Sequence, residues 1–203
     1  MMMIRFLVFS ILFLTFSKTF SQEEDVFGSL RSEAKIDNSL LPDRMIFTQR
    51  LLWGEKGLLR KMRISPLTIE QRESELKIRR KMLKIHQVIG YATLAGMFAQ
   101  GIIGSQLYRG NSDLYNTHKL IGNLTSISYF TGAGLSLFSP PPLTNKKSKG
   151  LSSIKAHKYL ATIHFSAMLA TNIFKKNKNK KIHRIAAYTA VGSFATAVIV
   201  FKF

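Results

Sequence analysis

Five histidines are the residues best suited to chemistry in this chain, and four of them recur in one local setting. Each opens a long apolar run: His86-Gln87-Val88-Ile89-Gly90, His118-Lys119-Leu120-Ile121-Gly122, His157-Lys158-Tyr159-Leu160-Ala161 and His183-Arg184-Ile185-Ala186-Ala187. The residue four places on is Gly or Ala every time. Positions i and i+4 share a helix face, so each imidazole stands beside a patch stripped of side-chain bulk. Imidazole is a good axial ligand for haem iron, and small residues let a flat porphyrin approach a helix backbone. Lys119, Lys158 and Arg184 directly follow three of the histidines and suit haem propionates at the headgroup level. A single histidine at the end of a membrane helix is usually only an interfacial polar residue. Recurrence in four runs out of four is what favours a ligand set.

The elements that must position these residues are membrane helices. Four apolar stretches, at about 85–107, 118–138, 156–174 and 183–202, each approach the roughly 20 residues a bilayer requires. They are separated by Arg109-Gly110-Asn111-Ser112-Asp113, by Ser139-Pro140-Pro141-Pro142 and by the lysine-dense 175–181 segment. The expected fold is an all-α membrane protein, a four-helix up-and-down bundle. Odd helices then begin on one side and even helices on the other. His86 therefore meets His157 at one face, and His118 meets His183 at the opposite face. His164, seven residues after His157 and about 10 Å deeper, is open to several roles: haem neighbour, proton or quinol path, replacement ligand, or satisfied core histidine.

Upstream lies a different composition. Arg5, the apolar stretch Phe6 to Phe16 and the small residues Thr19 and Ser21 make a secretory signal over 1–21 with Gln22 as the mature start. An uncleaved anchor helix is the alternative, and both place the next segment outside the cytoplasm. Residues 22–81 form an extracytoplasmic basic segment, polar and aperiodic to about 40. From Arg44 the pattern suits an amphipathic stretch at the headgroup boundary, with Trp53 as an anchor. Ser65-Pro66-Leu67 breaks it. Thr68 then reads as an N-cap, with Gln71 completing a capping box, opening a charged helix that runs into the first span. The 175–181 loop falls inside, as positive-inside asymmetry prefers, although Lys146, Lys147 and Lys149 outside dilute that agreement.

The bulk numbers fit. In 203 residues, 30 Lys+Arg stand against 11 Asp+Glu, a formal charge of +19. The basic residues flank apolar runs, where anionic lipid attracts them, rather than forming a nucleic-acid module. The chain has no cysteine, which excludes disulfides, iron–sulfur ligation and c-type haem attachment. No Ser/His/Asp set, carboxylate pair or phosphate loop offers another enzyme mechanism.

Over residues 82–203 the order of histidines, the helix spacing and the His-x-x-x-Gly/Ala openings resemble the cytochrome b561 family. That resemblance implies two b-type haems in a four-helix core, His86 with His157 and His118 with His183 as ligands, and transmembrane electron transfer, possible oxidoreductase activity included. Apart from the signal, the outer flanking helices of animal and plant members are lacking, and their ascorbate-binding motif has no clear match, so donor and acceptor stay open. The expected setting is a bacterial inner membrane, as a homodimer or part of a larger complex. The competing reading, from another class, is a cofactor-free four-helix scaffold or accessory subunit.

Overall fold

The structure, a computed structural model, describes residues 40–143, 152–176 and 180–202. The signal, most of the lead-in and Lys146, Lys147 and Lys149 lie outside the described residues. All described elements are helical. Two short helices, α1 (Phe47–Trp53) and α2 (Leu58–Lys61), precede four long ones: α3 (Ile69–Tyr108), α4 (Tyr115–Leu137), α5 (Ser153–Ile173) and α6 (Lys180–Lys202). Each apolar run of the sequence falls within one long helix. Two of the helices, α3 and the Lys180–Val200 stretch of α6, are long and apolar enough to cross a membrane. α4 and α5 match α6 in length but carry Asn123, Ser126, Ser128, His164 and Asn172, which lower their average hydropathy.

The long helices run alternately up and down. Thr93 Oγ1 lies 2.8 Å from Ser128 Oγ near the middle of the α3–α4 hairpin, and Gln100 Nε2 donates to the His118 carbonyl (3.0 Å) at its turn. Between α4 and α5, Ser126 Oγ donates to Asn172 Oδ1 (3.1 Å), and Tyr129 meets His164 nearer the other end. α6 closes the ring against both α5 and α3. At mid-height Met97, Tyr129, Met168 and Phe194 form the buried core. Each of these lies eleven residues after the histidine of its own helix. Eleven residues make about three turns and about 16 Å of rise. The four histidines therefore point to the same inner face as the core, half a bundle away from it.

Ahead of the bundle, residues 44–68 fold back as a cap. Three of their side chains satisfy carbonyls that the end of α4 leaves without helical partners. Thr48 Oγ1 donates to Leu137 O (2.5 Å), Trp53 Nε1 to Phe138 O (3.0 Å) and Gln49 Nε2 to Ser139 O (3.2 Å). From α3, Arg79 donates to Pro140 O (2.7 Å) and Arg72 to Pro141 O (3.2 Å). Prolines give this loop carbonyls without competing N–H donors, so guanidinium groups complete it. Beneath the cap Glu75, with no exposed surface, joins Arg60, Arg72 and Ser65. Burial pushes its carboxyl upward, but hydrogen bonds from Arg60, Ser65 and Arg72 and the Arg72 charge outweigh that and hold it below the ordinary range. Burial, with Arg72 nearby, lowers Arg79.

Thr68 caps α3 as expected, accepting from the Gln71 N–H (3.3 Å). The reciprocal half of the box is not made. Thr68 N–H donates to Pro66 O (3.0 Å), so the Gln71 amide turns to Ser65 Oγ (3.0 Å) instead.

Candidate functional site

The expected partners share the ends of the bundle: His118 and His183 meet at one, and His86 and His157 lie at the other. At the end away from the cap, His118 on α4 and His183 on α6 face each other, ring centroids 6.4 Å apart and planes at 77°. His183 Nδ1 donates to Thr171 O (3.0 Å). His118 Nδ1 is buried and makes no hydrogen bond among the described residues. Its ring lies over Gly104 of α3, where an added Cβ would stand 3.0 Å from Cε1. At the cap end, His86 on α3 and His157 on α5 each reach the backbone of a neighbouring helix near its end. His86 Nδ1 donates to Gly132 O (2.8 Å), and His157 Nδ1 to Ala197 O (3.3 Å).

A carbonyl oxygen only accepts, so in each of these three bonds Nδ1 carries the proton and the lone pair sits on Nε2. That is the tautomer of an imidazole poised to ligate, with its orientation fixed by the backbone. Among the described residues no three His, Cys, Asp or Glu side chains gather as they would around a bare metal ion. Paired imidazoles suit a metal whose other positions are already filled, as in a porphyrin. His118 and His183 would hold one such group at their end, and His86 and His157 would hold the other.

Within the protein, the glycines of the first two openings have neighbours other than imidazoles. Gly90 lies against Phe194, and Gly122 against the Gln100 side chain. The glycines that lie against imidazoles are Gly104, beside His118, and Gly132, beside His86, each on the hairpin neighbour. Neither belongs to a His-x-x-x-small opening, so only the fold reveals them. Lys119 and Lys158 are exposed at the bundle ends. Arg184 is half-buried and stacks over the Tyr108 ring, 4.1 Å from its centroid, which ties α6 to the end of α3. His164 is a core residue: its Nδ1 shares a 2.6 Å hydrogen bond with the Tyr129 hydroxyl, and its ring packs edge-on to Phe194 at 4.9 Å. Sequence reasoning does not single out Tyr129, although its position eleven residues after His118 is a usable signal.

No known family, curated protein or solved structure matches the chain.

Proposed function

We propose that this chain is a di-haem b-type cytochrome of the cytochrome b561 kind, a four-span membrane protein that carries single electrons between the two faces of a bilayer. The observation that carries the reading is the closeness of His118 and His183, ring centroids 6.4 Å apart, with His86 and His157 sharing the opposite end of the bundle. Haem b supplies the one-electron chemistry when bound. The protein's part is to present Nε2 of the imidazoles, to fix the rings of His86, His157 and His183 through backbone carbonyls and that of His118 by packing over Gly104, and to keep water from the interior with Met97, Tyr129, Met168 and Phe194.

The membrane setting draws support from the outward faces. Val88, Ile102, Leu124, Ile127, Ile163, Ile185 and Ile199 are exposed, whereas Thr93, Thr125 and His164 are buried. Large apolar side chains face outward on all four long helices, with hydroxyl and imidazole groups admitted to the interior, which is unlike a soluble bundle and suits lipid as the solvent. In this reading all four long helices span, the cap lies on the extracytoplasmic side with His86 and His157, and His118 and His183 lie near the cytoplasmic side. Lys119, Lys158 and Arg184 stand at headgroup depth, where propionates would reach them.

Absorption spectroscopy of the purified chain, expressed with ample haem, tests the proposal. A low-spin bis-His spectrum with about two haems per chain is expected. A colourless, folded protein would leave the scaffold reading in its place.

A further inference from the structure

α1 is built inside out. Thr48, Gln49 and Trp53 turn inward, where their donors take the last carbonyls of α4 and the loop beyond it. Phe47 and Leu51, one turn apart on the opposite face, are exposed, Phe47 by 77% and Leu51 by 45%. Ile46 beside them is exposed as well, and Arg50 lies on the same side. A short helix in water would gain by the reverse arrangement, because burying amide and hydroxyl groups while wetting a phenyl ring is unfavourable. The arrangement is favourable if the outward face meets lipid.

The place of α1 selects the occupant. It hangs from Leu137, Phe138 and Ser139, at the end of the proposed second span, so its free face stands at the level where that span leaves the bilayer. An apolar pair with an arginine at that level matches the chemistry of an anionic lipid surface, acyl chains below and phosphates above. The basic balance of the chain, +19, favours an anionic surface, and acyl chains beside the end of the span supply the apolar half that Phe47 and Leu51 need.

We propose that α1 is a membrane foot: Phe47 and Leu51 enter the upper acyl layer of the extracytoplasmic leaflet, and Arg50 engages anionic headgroups. Hung from α4, the foot fixes the height of the cap above the His86–His157 pair. The proposal rests on the membrane reading above and is independent of haem.

The chain has no cysteine, so a single introduced one gives a unique spin label on the full-length protein. Labels at Phe47→Cys, Leu51→Cys, Ile127→Cys and Glu70→Cys would be compared in nanodiscs containing phosphatidylglycerol, by collision with dissolved oxygen and with a water-soluble nickel chelate. Ile127 is exposed midway along α4, and Glu70 is exposed about 24 Å beyond His86 along α3. Positions 47 and 51 should favour oxygen, less than 127 does, while 70 favours the chelate. Arg50→Glu should bring label 47 nearer the water in phosphatidylglycerol discs and not in phosphatidylcholine discs; equal depth in both would overturn the headgroup contact. Chelate access at 47 and 51 equal to that at 70 would overturn the foot. Shielding of 47 from both reagents would mean that protein covers this face, and would overturn it too. Chelate access at 127 would remove the membrane reading and the foot together, while the haem spectrum of the same samples reports separately on the cytochrome.

Discussion

Tyr129 and His164 share a 2.6 Å hydrogen bond at the centre of the bundle, between the two histidine pairs. Both residues are buried, and His164 is thereby occupied within the core. Tyr129→Phe should lower stability by about 1–3 kcal/mol, the cost of a buried polar group left unpaired, and leave haem content unchanged. His164→Ala should likewise retain both haems. Thermal melts alongside haem quantitation check both; loss of the cap-end haem in His164→Ala would move the third ligand two turns along α5.

Gly104 and Gly132 should be specific for their ends. Gly104→Leu drives a side chain into the His118 ring and should disturb the His118–His183 haem alone; Gly132→Leu should disturb the His86–His157 haem alone. Gly101→Ala, where an added Cβ meets nothing within 4 Å, should do neither. Difference spectra of the three variants make the comparison.

Glu75 gives the cap a defined pH dependence. Its folded pKa lies below the ordinary 4.5, so its contribution is present above that value and is lost as pH falls through the lower folded one. The cap should loosen only below about pH 4.5, read as increased acrylamide quenching of Trp53, the single tryptophan. Glu75→Gln should show that quenching already at neutral pH. Leaving two buried arginines without their carboxylate should weaken cap docking by about 3–5 kcal/mol.

Orientation has its own test. A reporter active only in the cytoplasm should work when fused after Lys178 and fail when inserted near Lys147. The opposite result would exchange the faces assigned to the two histidine pairs.

The four helices and the histidines that open them were legible because each lies in a long, mainly apolar run with turn residues beyond it. The cap was not. Its docking depends on donors from Thr48, Gln49 and Trp53 reaching carbonyls of Leu137 to Ser139, and backbone carbonyls leave no trace in a sequence. The basic pattern of 44–81 suggested a surface segment, but Arg60, Arg72 and Glu75 are interior. The layer eleven residues beyond the histidines was hidden for a different reason. Met97, Tyr129, Met168 and Phe194 share a position but not a single side-chain type, two being methionine and two aromatic, so the repeat shows only when the helices are superposed on their histidines.

The most direct measurement is the haem spectrum of single and double histidine variants of the full chain. Wild type should hold about two low-spin haems. Replacing His118 or His183 by Ala should remove one haem or turn it high-spin, and replacing both should do little more, since two residues serve one site. His86 and His157 should behave the same way towards the other haem, with effects near additive between pairs. Haem loss that pairs His86 with His118, or a spectrum unchanged by all four replacements, would contradict the ligand assignment; a haem-free wild type would contradict the cytochrome itself.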